Sequence, residues 1–311
     1  MGAEHRQAAP TANDAPTIVV DPEWGYRRLA VMPEASAMDR FYESGYRDQI
    51  DRQGRAPDVA RLLAGGADAE RERAWLAATL HADVRDAIEG AVADGAPRRI
   101  LDVGAGTGDL VEFLGAAGWE AIGVEPAVAI GAAGRERGLR IEPQTASEFV
   151  AAWPAAASPF GAVTLMNVLE HVTDPVGLIR ELLLVLAPGG RLVVRVPNDF
   201  SPLQEAARKS LDVAPWWIAI PDHVNYFDHA SIAGLLERLG LEIVERSTDF
   251  PMELFLLMGD DYTTDPAVGR RAHEQRRRLD LALDPAVRRV IARSWFAAGV
   301  GRNSFVVGRV P

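Results

Sequence analysis

Apolar residues change their spacing along the chain, and these changes divide it into three segments. Residues 1–20 show no periodicity and are rich in Ala, Pro, Thr, Asn and Asp. A segment of this composition buries too little apolar surface to order itself, so we expect a disordered tail. Residues 21–97 predict a helical N-terminal segment, because apolar residues recur there at helical spacing. These residues are Trp75, Leu76, Leu80, Val84 and Ile88.

From residue 98 onward, short apolar runs alternate with amphipathic ones. The runs RRILDV, WEAIGVE, FGAVTLMN and GRLVVRVP are typical of buried strands, and helix-like stretches separate them. This alternation predicts βαβ units and a doubly wound, Rossmann-like α/β sheet over residues 98–311. Irregular stretches at about 199–227 and 249–302 are expected to be insertions. LEIVERST and SFVVGRV flank the second insertion and predict two strands that pair with each other.

Composition and charge narrow the class of protein. The chain has 311 residues, no cysteine and a formal net charge of -11. Without cysteine it has no disulfides and no thiolate metal sites, and we predict no metal site. The acidic balance disfavours a nucleic-acid partner. No apolar run reaches the length of a membrane span and the N-terminus has no apolar leader, so we expect a cytoplasmic protein without a membrane partner.

The segment ILDVGAGTGDL places a predicted buried strand directly before a glycine loop. Gly104, Gly106 and Gly108 would let backbone N–H groups approach a ligand. Their spacing differs from the G-x-G-x-x-G of dinucleotide sites, and the Lys of a phosphate-binding loop is absent. Asp102 precedes the loop and favours a cationic or hydrogen-bond-donating group, such as a sulfonium amino acid. The next predicted strand ends in Glu125, whose carboxylate can accept both hydroxyls of a ribose.

These residues resemble those of the class I S-adenosylmethionine-dependent methyltransferases that act on small molecules. The resemblance rests on LDVGAGTG, GVEP, NVLEHVTDP and LAPGGRLVVRVPN, and it covers about residues 98–248. It implies S-adenosylmethionine as the cofactor. It also implies a seven-stranded sheet whose last strand is antiparallel, which agrees with the two paired strands expected around the second insertion.

The resemblance further implies where the cofactor would lie. The loop from Gly104 to Gly108, with Ala105, would wrap the methionine part, and Glu125 with the adjacent Pro126 would hold the ribose. The residues flanking the adenine would be Thr145, Ala146 and Ser147.

Two further parts of the chain are candidates for cofactor contacts. Asn167 closes the predicted fourth strand, where the resemblance implies a position facing the methyl-transfer site. FYESGYRDQI resembles aromatic lid segments that cover the cofactor in such enzymes, which makes Tyr42 and Tyr46 candidate contacts.

Two histidines are candidates for a general base, which methyl transfer to a hydroxyl group can use. His171 follows the fourth strand by a few residues, and imidazole titrates near neutral pH. The alternative is that Glu170 and His171 begin a helix or hold a loop. His223 lies beside Asp222 in the first insertion and could act as a base oriented by that carboxylate, although adjacent side chains do not ordinarily face each other.

The insertions carry the candidate acceptor site. Trp216 and Trp217 could form an apolar wall or pin the first insertion. In the second insertion, core packing is the favoured interpretation of Met252, Phe255 and Met258. An arginine run there is expected to be a solvated helix face, with binding of an anionic acceptor as the alternative. Its members are Arg270, Arg271, Arg276, Arg277 and Arg278.

Together these features predict an S-adenosylmethionine-dependent methyltransferase that acts on a small molecule. A hydroxyl group of a sugar or secondary metabolite is the expected acceptor. N- or C-methylation of a sugar or amine remains an alternative, as does a protein that binds the cofactor without transferring a methyl group. The glycine spacing makes a Rossmann oxidoreductase a poorer fit. A homodimer is compatible with the sequence, which does not settle the oligomeric state.

Overall fold

The computed structural model describes residues 17–34, 57–154 and 157–311, and the strands in these ranges form two sheets. In chain order the strands are β1 (Ile18–Val20), β2 (Arg27–Leu29), β3 (Arg99–Val103), β4 (Glu120–Val124), β5 (Ile141–Glu142), β6 (Phe160–Met166), β7 (Leu186–Pro197), β8 (Asn225–Tyr226), β9 (Glu242–Thr248) and β10 (Asn303–Arg309). The larger sheet has seven strands in the order β5-β4-β3-β6-β7-β10-β9, and the smaller has the order β1-β2-β8.

The direction of the strands defines the class of fold. Strands β3 to β7 pair in parallel, whereas β10 pairs antiparallel with both β7 and β9. The doubly wound sheet and the antiparallel last strand are therefore confirmed. The predicted pairing of LEIVERST with SFVVGRV is also present, since Val306 lies opposite Arg246 in the ladder.

Helices cover both faces of the larger sheet and supply the two insertions. In the described part of the chain they are α1 (Pro57–Ala64), α2 (Gly66–Ala78), α3 (Leu80–Ala93), α4 (Asp109–Ala116), α5 (Val128–Glu136), α6 (Ala146–Ala152), α7 (Pro175–Leu183), α8 (Pro202–Leu211), α9 (His229–Arg238), α10 (Glu253–Leu257), α11 (Pro266–Ala282) and α12 (Pro285–Ala297). Among these residues, no helix is long and apolar enough to cross a membrane.

The core lies on both faces of the central strands, as expected of a parallel sheet covered by helices. Leu101 of β3 packs in one buried cluster with Val163 and Ile179, and the neighbouring Ile100 packs in the other cluster with Ala162. Because alternate side chains of a strand point to opposite faces, β3 is held from both sides. Its carboxyl end therefore gives the glycine loop a rigid support.

The N-terminal segments differ from the prediction in one respect. Ile18–Val20, at the end of the predicted tail, form β1, and Arg27–Leu29, within the predicted helical segment, form β2. The two strands pair antiparallel, and β2 also pairs with β8 of the first insertion. The backbone of the first insertion supplies hydrogen-bond partners for the second edge of β2. A prediction based on local periodicity does not include such a partner.

The arginine run differs from the expected solvated face. Arg270, Arg271 and Arg278 are exposed, but Arg276 and Arg277 on α11 are buried. Arg276 Nη2 donates to Asp249 Oδ2 at 2.9 Å, and its guanidinium lies 4.9 Å from the centre of the Trp75 ring. That interpretation is wrong for these two residues, because α11 packs against the N-terminal helices.

Glu72 is the buried centre of this contact between the N-terminal helices and α11. It lies on α2 with its side chain fully buried, and its carboxylate is 2.9 Å from His273 Nε2 of α11. Arg61 and Arg277 also reach it, at 3.2 and 3.4 Å. The N-terminal helices and the second insertion therefore share one ion-pair cluster.

We predict that Glu72→Gln lowers the free energy of unfolding by about 3–5 kcal/mol, the usual effect of removing one partner from a buried ion pair. Burial raises the pKa of Glu72, but His273 and Arg61 outweigh it and lower the pKa from 4.5 to about 2. The stabilisation is therefore present above about pH 4.5 and is lost as the pH falls towards 2. Urea unfolding across this pH range measures both effects.

The matched control is Glu70→Gln, since Glu70 is exposed on the same helix. This variant is expected to change the free energy of unfolding by about 0.5 kcal/mol or less. An equal loss in the two variants would contradict the structural role assigned to Glu72.

Candidate active site

The three glycines of the loop after β3 have different surroundings. All three have positive φ, at 71°, 54° and 82° for Gly104, Gly106 and Gly108. A Cβ at Gly104 would lie 2.7 Å from Val168 Cγ2, and one at Gly108 would lie 2.6 Å from Ile141 Cδ1. A Cβ at Gly106 would meet no atom of the described residues within 4 Å. Gly104 and Gly108 thus allow close packing, whereas Gly106 faces open space that a ligand can fill.

Glu125 connects this loop to the end of β4. Its carboxylate accepts the Gly106 N–H at Oε2, over 2.8 Å, and the Ala127 N–H at Oε1, over 2.9 Å. Burial raises the pKa of Glu125, and the two backbone hydrogen bonds oppose this rise. The sequence prediction therefore placed Glu125 correctly beside the loop, and the structure adds that it holds the loop in shape.

Asp102 lies beneath the glycine loop. It is buried directly opposite Thr164 of β6 in the parallel ladder, and Thr164 Oγ1 donates to its carboxylate over 2.6 Å. Burial raises the pKa of Asp102 to about 7. In this structure Asp102 supports the loop, and its contact with the cofactor stays a prediction.

A cavity of about 1690 Å³ opens beside the loop at the carboxyl ends of the parallel strands. Ligand sites of open α/β sheets lie at this edge. Its volume exceeds the roughly 300–1,000 Å³ of an ordinary small-molecule pocket, so it has room for two molecules. The predicted residues that line it are Gly104, Gly106, Glu125, Pro126, Thr145, Ala146, Ser147, Asn167, His171, Trp216, Trp217 and His223.

The remaining predicted cofactor contacts lie elsewhere. Gly108 packs against β5, and the Ala105 Cβ lies 2.7 Å from the Cβ position of Gly123. Both residues have packing roles in this structure, and their contacts with the cofactor stay predictions. Tyr42 and Tyr46 lie outside the described residues.

Asn167 is fixed at the end of β6 by two side chains. It has a φ of 58°, which directs the chain out of the strand. Its amide Nδ2 donates to Glu170 Oε1 over 2.9 Å, and its Oδ1 accepts a hydrogen bond from Arg195. Arg195 in turn donates to Asp249 Oδ2 over 2.9 Å. The sequence prediction missed Arg195, although it follows the apolar run of β7 on the strand beside β6.

His171 and His223 come together in the cavity wall, with Asp222 between them. His171 Nδ1 lies 2.9 Å from the Asp222 carbonyl oxygen and 3.2 Å from Asp222 Oδ1. His223 Nε2 lies 3.9 Å from Asp222 Oδ2, and the two imidazole rings are 4.9 Å apart. Asp222 therefore orients His171 more closely than it orients its neighbour in the sequence.

The charges around His171 favour its protonated form. Burial lowers the pKa of His171, but the hydrogen bond with Asp222 and the charge of Glu170 outweigh burial and raise the pKa to about 9. The donor atoms of Glu170, His171 and His223 lie within 4.8 Å of one another, a set that can share protons or hold a cation. The expectation of no metal site stays a prediction.

The comparisons with known proteins agree with this geometry. A family model described as a methyltransferase domain matches residues 74–246, which is more than half of the chain. The chain belongs to the methyltransferase domain family, and it is a class I S-adenosylmethionine-dependent methyltransferase by fold and family. S-adenosylmethionine is the cofactor of this class, and the open space at Gly106 beside the Glu125 carboxylate fits it.

Curated relatives carry a more specific name. The ubiquinone biosynthesis O-methyltransferase of Aeromonas salmonicida is 28% identical over 160 residues, which are 48% of this chain and 65% of that protein. The protein of the same name from Caulobacter sp. is 37% identical over 133 residues, 40% of this chain and 51% of that protein. The matched region thus spans less than two thirds of these relatives.

Solved structures share the fold. The plantazolicin methyltransferase BpumL, in complex with a monoazolic desmethylPZN analog and SAH, superimposes with a TM-score of 0.50 at 12% identity. The match covers 89% of this chain and 96% of that chain. At this identity the likeness is one of fold alone.

We predict that Gly106→Arg weakens binding of S-adenosylhomocysteine about tenfold or more, because the new side chain enters the space beside Glu125. Isothermal titration calorimetry of the purified protein measures this change. Gly118→Arg is the matched control, since Gly118 also has a positive φ and an open Cβ position but is exposed and does not line the cavity. An equal loss of affinity in the two variants would show that backbone strain, and not the site, is responsible.

Proposed function

We propose that this protein transfers the methyl group of S-adenosylmethionine to a hydroxyl group of a small molecule, with His171 as the general base. The observation that carries the proposal is that Gly106 and Glu125 line the same cavity as His171 and Asp222. A cofactor on the loop and an acceptor at the histidines would therefore face each other in one space. The name of these relatives, ubiquinone biosynthesis O-methyltransferase, supports a hydroxyl acceptor.

Each group in the wall has a task in this reaction. When bound, S-adenosylmethionine supplies a methyl group that is already activated by the sulfonium. Asp222 holds the Nδ1–H of His171 and leaves Nε2 as the nitrogen that takes the proton of the acceptor hydroxyl. Asn167, whose side chain is held in place, lies between the cofactor side and the acceptor side of the cavity. Trp216 and Trp217 give the acceptor side an apolar surface.

Methyl transfer itself is tested with radiolabelled S-adenosylmethionine and a panel of phenols, catechols and sugars. We expect a labelled product with at least one hydroxylated acceptor, and a loss of about 10²–10⁴ in kcat in His171→Asn, the usual contribution of a general base. Binding of S-adenosylhomocysteine without any labelled product would favour a binding protein. A product labelled on nitrogen or carbon would contradict O-methylation.

The raised pKa of His171 predicts the pH dependence of the reaction. His171 is a base only after its proton is lost, so kcat/KM is expected to rise about tenfold per unit between pH 7 and 8.5 and to level off near 9. In Asp222→Asn the hydrogen bond and charge that raise the pKa are weakened, so the plateau should begin at a lower pH. Identical profiles in the two proteins would exclude His171 as the titrating base.

A further inference from the structure

One wall of the cavity carries three buried carboxylates from separate parts of the chain. Glu170 follows β6, Asp199 follows β7 and Glu253 begins α10. All three line the cavity, with exposed fractions of 1%, 2% and 3%. Each has one oxygen, Oε2, Oδ2 and Oε2 respectively, that no donor among the described residues reaches. Buried polar atoms are satisfied in the great majority of cases, so three exceptions on one wall indicate a partner that is not among the described residues, and the cavity beside them has room for a ligand.

The positions of these carboxylates are fixed by their other contacts. Asn167 donates to Glu170 Oε1 over 2.9 Å. Gln204 on α8 is fixed by its own cap, since its Oε1 accepts the Ser201 N–H over 3.2 Å, and its side chain lowers the pKa of both Asp199 and Glu253. The wall is therefore held in place without its ligand.

The charge of this wall favours a cation. Burial raises the pKa of Asp199 well above its usual range, and the charges of Glu170 and Glu253 raise it further, while Arg27 opposes them. Burial likewise raises the pKa of Glu253, which Arg302 opposes. Like charges in a desolvated site destabilise one another until one carboxylate takes up a proton or a positive group enters.

A single metal ion does not account for the whole wall. Among the described residues, three or more acidic or histidine donor atoms lie within 4.8 Å of one another at Glu170, His171 and His223. Asp199 and Glu253 are outside that group. A ligand that contacts all of these groups is therefore larger than a single ion.

Aromatic residues that line the same cavity indicate a second property of the ligand. Trp216 and Trp217 line the cavity with ring centres 4.9 Å apart, and Phe200 lies 5.6 Å from Trp217. The buried Nε1–H of Trp217 has no acceptor among the described residues. Indole faces attract organic cations, and an indole N–H pairs with an oxygen of a ligand.

We propose that this wall is the acceptor subsite and that it takes a hydroxylated organic amine. The protonated amino group pairs with Asp199 and its neighbouring carboxylates, and an oxygen of the same molecule accepts from Trp217. This inference rests on the proposed function, because it assigns the acceptor to the half of the cavity opposite the glycine loop.

Two matched pairs of probes test the charge requirement. Tyramine is compared with 4-ethylphenol, and glucosamine with glucose, by calorimetry at pH 7 with the full-length protein saturated with S-adenosylhomocysteine. In at least one pair the amine is expected to bind about tenfold or more tightly, a modest value for a desolvated charge pair. Asp199→Asn is expected to remove most of this preference while leaving the affinity for the uncharged member unchanged.

Glu253→Gln serves as a second variant at the wall, and Glu70→Gln is the exposed control that should keep the full preference. Equal binding of charged and uncharged members, or binding of none of the four, would overturn the proposal. So would an amine preference that survives in both Asp199→Asn and Glu253→Gln.

The titrations are repeated without S-adenosylhomocysteine so that the two proposals can fail separately. An amine preference in a protein that does not bind S-adenosylhomocysteine would support the subsite and contradict the proposed function. Binding of S-adenosylhomocysteine without any amine preference would overturn the subsite alone.

Discussion

The hydrogen bond from the Gly106 N–H of the glycine loop to the Glu125 carboxylate is the constraint on which the rest of the site depends. It connects the ends of β3 and β4, and a second bond, from the Ala127 N–H, fixes the same carboxylate. Since Gly106 has an open Cβ position, the same contact that shapes the loop also leaves space for a ligand. Buried clusters on both faces of the sheet support this edge. Each candidate binding residue is positioned relative to this edge.

A second network organises the opposite half of the cavity. It runs from Asp249 through Arg195 and Asn167 to Glu170, with His171 and Asp222 beside it. Its members come from the ends of neighbouring strands and from both insertions. The insertions therefore do more than cover the sheet, because they supply the carboxylates that orient the histidine and fill the acceptor wall. The Glu72 cluster holds the second insertion against the N-terminal helices above this cavity.

Local sequence patterns predicted the sheet, the glycine loop and the position of Glu125, because these depend on periodicity and on motifs within one βα unit. They did not show that Asp102 pairs with Thr164, because this partner is 62 residues away and only the strand register brings it close. The pairing of His171 with Asp222, 51 residues apart, was missed for the same reason. Arg276 and Arg277 were expected in solvent because their charge was visible in the sequence, whereas their partners Asp249 and Glu72 were not.

A crystal structure of the complex with S-adenosylhomocysteine tests most directly the claim that one cavity holds cofactor and acceptor side by side. We predict that the ribose hydroxyls bind at Glu125 and that the amino-acid part lies along the Gly104–Gly106 backbone. The sulfur is expected on the side of Asn167 and His171. A ligand bound elsewhere in the cavity, or one whose sulfur points away from His171, would contradict the account.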